Sequence, residues 1–189
     1  MLDILTKVTA PPLPPISFLA NAEFHTSTKF WVGAGSVRIF HQQGAGLSPR
    51  PGRQYLSLRS NAMRVEASPS GRAEVYQQTN HSVSDPPGRY LISLRRGRTY
   101  TISFLARAER QGQGLIRVRL ADVTASSNEG RTLWTSDPVP VSRATGEFSV
   151  EYRHAGTDVD DARLAFLFGE RNQVVLLDRI AMSSVRGSG

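Results

Sequence analysis

The residues of this chain that could do chemistry are scattered rather than grouped. The 189 residues include four histidines and no cysteine, which excludes thiol nucleophiles, disulfides and cysteine-type zinc sites. No two of the histidines have the spacing of a helical or hairpin metal site, and no Gly-x-Ser-x-Gly motif marks a serine nucleophile. The sequence therefore predicts a non-catalytic protein, with strand or surface positions for His25, His41, His81 and His154.

Two short motifs resemble ligand-binding loops but lack essential parts. The acidic run 158–161 could bind a hard cation through oxygens at alternating positions, yet it has neither the glycine nor the final glutamate of a calcium loop. Gly33 and Gly35 form a fragment of a phosphate-binding loop without its later glycine, its lysine or a following helix. We interpret the first as a solvated turn and the second as a glycine pair in a loop.

One acidic residue, Asp178, falls among apolar residues of one parity in the last predicted strand. A period of two would place it on the apolar face, together with Val174, Leu176, Ile180 and Met182. A buried carboxylate needs a cation or several donors, because its desolvation otherwise costs several kcal/mol. The sequence leaves three solutions open: a partner arginine, the backbone amides of a loop, or a structural calcium.

The elements that must position these residues are strands. Apolar and polar residues alternate most clearly over 99–108, 116–120, 147–153 and 163–168. Weaker candidates cover 37–41, 54–59, 63–67, 74–78, 90–94 and 132–135, and a last strand covers 173–183. Turn residues separate these segments, and no helical period exceeds ten residues. The pattern predicts an all-β, antiparallel jelly-roll sandwich of about ten strands over 18–185.

The first 17 residues differ in kind from the rest. A proline run at 11–15 favours an extended conformation, and the segment cannot bury its own apolar residues. It is either a disordered tail or linker, or an arm that lies on a neighbouring subunit, and in the second case the contacts come from Leu2, Ile4, Leu5, Pro12 and Leu13. Residues 186–189 are predicted to be a flexible tail.

The net charge of +7 comes mainly from arginines that alternate with apolar residues along the strands. Only 95–98 forms a local basic cluster, and no zinc-finger, basic-helix or RNA-recognition motif surrounds it, so the sequence argues against nucleic-acid binding. No apolar run approaches the roughly 20 residues of a membrane span. The N-terminal residues also lack the pattern of a secretory signal.

Three segments together resemble a known family. They are 21–24 (NAEF), 94–108 (LRRGRTYTISFLARA) and 175–180 (VLLDRI). Their order and spacing resemble the galactose-binding-like jelly rolls of carbohydrate-binding modules found beside xylanases and cellulases, and similar sandwiches occur in phage decoration, tail and fibre proteins. The resemblance spans about 19–184. It departs from the family pattern at Ala22, where glycine is usual, and at Arg179, where a second acid is common.

The resemblance implies two kinds of site. By position, Glu23 and Asp178, with Asn21, would hold one structural calcium, although Arg179 could replace the cation. Sugar binding in such modules uses aromatic faces and neighbouring polar groups. The candidates here are Trp31, Tyr76, Trp134 and Gln78. Trp31 and Tyr76 could equally belong to the core.

Two functions follow as hypotheses. The first is a non-catalytic structural or attachment module of a phage virion, made in the host cytoplasm, which contacts other virion subunits or itself and recognises surface polysaccharide. The arm and the missing export signal favour it. The alternative is a carbohydrate-binding module of a secreted polysaccharide-degrading enzyme, located outside the cell. A lyase on the same sandwich is a third, weaker possibility.

Overall fold

Two antiparallel sheets pack face to face in the computed structural model, which describes residues 31–43, 47, 61–69, 71–77, 92–109, 113–124 and 130–186. These residues form strands and connections without a helix, and they contain no helix that could span a membrane. The strands are β1 (Trp31–Gly35), β2 (Val37–Gln42), β3 (Ala62–Ala67), β4 (Ala73–Gln77), β5 (Ile92–Leu94), β6 (Arg98–Ala108), β7 (Gly114–Asp122), β8 (Arg131–Thr135), β9 (Val139–Val141), β10 (Gly146–Arg153), β11 (Val159–Leu167) and β12 (Gln173–Arg186). The predicted all-β jelly-roll sandwich is confirmed. The predicted arm, the strand at 54–59 and residues 187–189 lie outside the described residues.

The strands divide into a seven-stranded and a five-stranded sheet. The larger sheet has the order β1-β4-β11-β7-β8, with β5 paired to β11 and β9 paired to β7. The smaller has the order β10-β6-β12-β3-β2. Sequence neighbours β1 and β2 thus lie at the same side of the sandwich in different sheets, and β12 occupies the centre of the smaller sheet.

The core lies between the sheets and follows the predicted alternation. Tyr100, Ile102 and Phe104 of β6 are fully buried, as the period of two in that segment predicts. Phe104 meets Phe166 of the opposite sheet edge to face, with ring centroids 5.2 Å apart, and stacks on Phe148 of its own sheet at 5.5 Å. Such aromatic contacts join the two layers at the middle of the core.

Gly33 and Gly35 belong to strand β1 rather than to a loop, so that interpretation was wrong. Gly35 ends the strand with φ +74°, where a side chain is strained. A Cβ at this position would also overlap the carbonyl oxygen of Arg72, which accepts a hydrogen bond from the Ser36 backbone N–H at 2.8 Å. The close approach of these two backbones explains the glycine.

Strand β12 does not keep one parity along its length. Its pairing with β6 is interrupted between Asp178 and Ala181, and Arg179 lies there with φ +48°. The bulge exchanges the two faces: Leu177 faces the core before it, and Ile180 and Met182 face the core after it. The prediction that Asp178 shares a face with Ile180 and Met182 is therefore wrong, because it lies on the outer face of the five-stranded sheet.

Candidate functional site

The outer face of the five-stranded sheet carries a transverse row of side chains from four strands. Phe40 of β2 pairs with Arg64 of β3, Arg64 with Leu176 of β12, and Leu176 with Arg107 of β6. Directly paired residues point to the same side of a sheet. The row therefore places one aromatic ring and two guanidinium groups on a single surface, which we call the Phe40 face.

Phe40 is the aromatic side chain on this surface that meets solvent. It is 42% exposed, although the neighbouring residues of β2 on the other parity, Val37 and Ile39, pack against the core. The guanidinium carbon of Arg64 lies 5.8 Å from the ring centroid, within cation–π range. An aromatic ring held beside a fixed polar group is the arrangement that stacks on the apolar face of a sugar.

Arg64 is held in place by two carboxylates. Its Nε donates to Glu109 Oε2 at 2.7 Å, and its Nη1 contacts Glu66 Oε1. The hydrogen bond to Glu109 raises the pKa of Arg64 above its ordinary value, against an opposing effect of burial. All three side chains remain partly exposed, so donors and acceptors with fixed positions stand next to Phe40.

A small apolar cluster supports the surface from one side. It consists of Leu47, Ala62, Leu105 and Leu176 and is separate from the main core. Asp178 lies beside it at 4% exposure, and its carboxylate accepts the backbone N–H of Leu47 at 3.0 Å and that of Arg179 at 2.7 Å. Backbone amides are thus among the partners of this carboxylate, and the bond from Leu47 ties that residue to β12.

A depression of about 390 Å³ adjoins the Phe40 face at the β1–β2 connection. Its lining is mostly polar or glycine and consists of Gly35, Ser36, Val37, Arg38, Glu66 and Ser68. Arg38 is exposed and lies two residues before Phe40 on the same side of β2. The polar surface thus continues beyond the aromatic ring.

The sugar-binding residues predicted from the sequence do not come together. Trp31 is 4% exposed and packs in the core, 6.0 Å from Phe166, so its prediction as a stacking platform is wrong. Tyr76 lies on the outer face of the seven-stranded sheet, with the Arg163 guanidinium 4.3 Å from its ring centroid. Trp134 stacks on Tyr152 at 5.3 Å and joins the edge strands β8 and β10. Gln78 lies outside the described residues.

Phe40 is the residue that the sequence reasoning missed. The signal is nevertheless present, since Phe40 has the opposite parity from Val37 and Ile39 in a short strand. An aromatic residue on the solvent face of a strand is a candidate binding residue.

Calcium remains a prediction. Asn21 and Glu23 lie outside the described residues, and among the described residues no three His, Cys, Asp or Glu side chains form a metal-binding group. Asp178 alone does not make a site, because calcium takes six to eight oxygen ligands. A melting temperature that rises when calcium is added to chelator-treated protein would support the predicted site. A melting temperature that neither chelator nor added calcium changes would remove Asn21, Glu23 and Asp178 from it.

Asp158 and His154 lie in the connection between β10 and β11, whereas residues 159–161 of the acidic run belong to strand β11, so the interpretation of the run as a turn was wrong. Asp158 accepts the Arg96 backbone N–H at 2.7 Å, and this bond lowers the pKa of Asp158, with a smaller contribution from Arg95. His154 is buried rather than at the surface, and its ring nitrogens contact the Tyr152 hydroxyl at 2.8 Å and the Thr157 carbonyl oxygen at 2.7 Å. The Asp158 bond fastens the connection to the β5–β6 turn, and the His154 contacts hold the connection together internally.

No family model and no curated protein sequence matches this chain. Among solved structures, the arabinose-bound α-L-arabinofuranosidase MgGH51 matches 89% of this chain and 26% of its own length, with a TM-score of 0.64 and 16% identity. The CBM22-1 xylan-binding domain of Paenibacillus barcinonensis Xyn10C matches 92% of this chain and 97% of its own, with a TM-score of 0.59 and 10% identity. The enzymatically active domain of tailspike protein 4 of bacteriophage CBA120 matches 90% of this chain and 22% of its own, with a TM-score of 0.54 and 12% identity.

The chain thus spans about a quarter of the arabinofuranosidase and nearly the whole of the xylan-binding domain. At these identities the likeness concerns the fold. The chain has the jelly-roll fold of carbohydrate-binding modules, as the resemblance in its sequence implies.

Proposed function

We propose that this chain is a non-catalytic carbohydrate-binding module and that its ligand lies on the Phe40 face. The observation that carries the proposal is the exposed ring of Phe40 beside Arg64, whose position is fixed by Glu66 and Glu109. A pyranose ring presents C–H groups on its faces and hydroxyl groups at its rim. The C–H groups stack on Phe40, and the hydroxyl groups donate hydrogen bonds to the two carboxylates or accept them from the guanidinium.

The arrangement of the acids supports recognition rather than catalysis. Glu66 and Glu109 both contact the same guanidinium, which suits a rigid hydrogen-bonding surface. Glycoside hydrolysis commonly needs two carboxyl groups on opposite sides of the scissile bond, one of them protonated. The likeness to modules such as the xylan-binding domain also supports a binding role.

Replacing Phe40 by alanine tests the proposal. The variant is expected to bind a panel of soluble and insoluble polysaccharides at least about tenfold more weakly than the wild type, because the stacking surface is lost. Val185→Ala is the matched control, since Val185 is the other large exposed apolar residue of the described chain, at 67%. It should bind as the wild type does.

Two further variants separate this face from the positions predicted by sequence. Tyr76→Ala and Trp134→Ala are expected to leave polysaccharide affinity unchanged. Binding that is lost in either of them but kept in Phe40→Ala would move the site elsewhere. Binding to no member of the panel would remove the proposed function.

A second candidate is attachment within a phage particle, and the match to the phage tailspike favours it. Residues 1–17 would then contact other virion subunits or a second copy through Leu2, Ile4, Leu5, Pro12 and Leu13. Deleting residues 1–15 should abolish incorporation into particles while leaving the sandwich folded. Unchanged incorporation, or absence of the chain from purified particles, would favour the extracellular alternative.

A further inference from the structure

We propose that the ligand of the Phe40 face is an acidic polysaccharide whose sugar units carry carboxylates. This inference rests on the proposed function and names the class of glycan. It follows from which charges on the face are already paired and which are not.

Glu66 and Glu109, the carboxylates next to Phe40, both contact Arg64. Arg38 and Arg107 lie on the same surface, and neither forms an ion pair or side-chain hydrogen bond with any residue that the structure describes. Although Arg38 is the register partner of Glu66, the Glu66 carboxylate contacts Arg64 instead. The face therefore presents two uncompensated guanidinium groups.

Their positions suit a chain of sugars rather than one ring. Phe40 and Arg107 are three strands apart in the row, which places their backbones about 14 Å from each other at normal strand spacing. Arg38 is two residues from Phe40 on the same side of β2, or about 7 Å. Leu176 in the middle of the row is buried under Leu47. An oligosaccharide that stacks on Phe40 and passes over the partly exposed Arg64 and Glu109 brings one carboxylate to each arginine.

The chemistry of the pairing is specific. A guanidinium binds a carboxylate through two parallel N–H···O bonds, a geometry that lysine does not offer. The polar depression beside Arg38 leaves space for a sugar unit next to that group.

The fixed acids distinguish an acidic glycan from nucleic acid. Glu66 lies beside Arg38 and Glu109 lies two residues beyond Arg107. Both repel any anionic ligand, and the repulsion is stronger for a phosphate backbone, which carries a charge about every 1.7 Å along a duplex, than for a glycan with one charge per sugar unit. The same carboxylates accept hydrogen bonds from sugar hydroxyls. Sparse negative charge on a polyhydroxyl chain fits the face, and dense negative charge does not.

The test compares oligogalacturonate with its methyl ester, two ligands with the same sugar backbone and different charge. Isothermal titration at fixed ionic strength with the full chain should show the acid form bound about tenfold more tightly than the ester. Arg38→Gln and Arg107→Gln should each weaken binding of the acid form about two- to fivefold, as expected for partly exposed pairs, and weaken binding of the ester by less. Phe40→Ala should weaken binding of both.

Arg153→Gln is the matched control. Arg153 is an exposed arginine at the far end of β10, opposite Thr99 of β6. Thr99 precedes Arg107 by eight residues in the same strand, so the backbones of Arg153 and Arg107 are about 26 Å apart. Its replacement removes the same charge and should change neither affinity. Thermal unfolding of every variant should match the wild type, and Arg38→Gln suffices if Arg107→Gln does not fold.

Each opposite result has a separate meaning. Equal binding of acid and ester, or binding of neutral xylo-oligosaccharides alone, overturns this inference and leaves the proposed function standing. A duplex DNA bound as tightly as the acid glycan, or an effect of Arg153→Gln as large as that of Arg107→Gln, shows non-specific attraction of polyanions and also overturns it. Binding of no glycan overturns both proposals.

Discussion

Replacing Asp178 by alanine should destabilise the protein strongly although it removes no apolar packing. The Asp178 carboxylate is 4% exposed and accepts two backbone N–H groups, from Leu47 at 3.0 Å and from Arg179 at 2.7 Å. Without it, both donors lose their partner, and each buried unsatisfied donor costs about 1–3 kcal/mol. Since solvent reaches the Arg179 amide more readily, we expect a total loss of about 2–4 kcal/mol in the free energy of unfolding.

Urea denaturation of the wild type and the variant measures this loss. Glu147→Ala is the control, because Glu147 is an exposed acid on the same side of the sheet, paired in register with Leu105. It should change the free energy of unfolding by less than about 0.5 kcal/mol. A loss below about 1 kcal/mol in Asp178→Ala would refute the reasoning, since it would mean that the two amides find other partners at little cost.

Two further predictions concern the backbone and pH. Gly35→Ala should lower the free energy of unfolding by more than about 3 kcal/mol, because it adds an overlap with the Arg72 carbonyl oxygen to the strain of a positive φ. Gly71→Ala has a similar φ but open space around the added Cβ, so it should lower the free energy of unfolding by only about 1 kcal/mol. Equal losses in urea denaturation would disprove the backbone clash. The lowered pKa of Asp158 predicts that its contribution to stability is present above the ordinary carboxyl value of 3.8 and is lost as the pH falls through the folded value. The wild type should therefore have a higher free energy of unfolding than Asp158→Asn at about pH 7, and the difference should disappear by about pH 2. A difference that does not depend on pH would show that the Arg96 amide does not depend on this carboxylate.

The alternation of apolar and polar residues is enough to predict the strands and the core where no bulge or long-range contact intervenes. Alternation places Tyr100, Ile102 and Phe104 inside, and the structure confirms it. The same rule accounts for Phe148 and Phe166, which meet Phe104 in the core. Burial of one face is the main constraint on these strands, so the two-residue period of apolar residues correctly predicts which side chains face the core.

Prediction fails where a local backbone feature or long-range pairing intervenes. The bulge at Arg179 reverses the faces of β12, and no pattern of apolar residues marks it because both faces of this strand are apolar there. Trp31 is buried through its contact with Phe166, which is 135 positions away in the sequence. The Phe40 face likewise requires the neighbours β3, β12 and β6, and strand order is not readable from sequence.

The central place of β12 in the five-stranded sheet has a consequence for biosynthesis. In chain order β12 follows every other described strand, yet it lies between β3 and β6, which are translated much earlier. The ribosome therefore releases β2, β3, β6 and β10 before the strand that joins their two halves exists. Until residue 186 emerges, β3 and β6 both present unpaired edges, and such edges pair readily with other chains. Completion of this sheet, and with it the assembly of the Phe40 face, follows the synthesis of every other described strand.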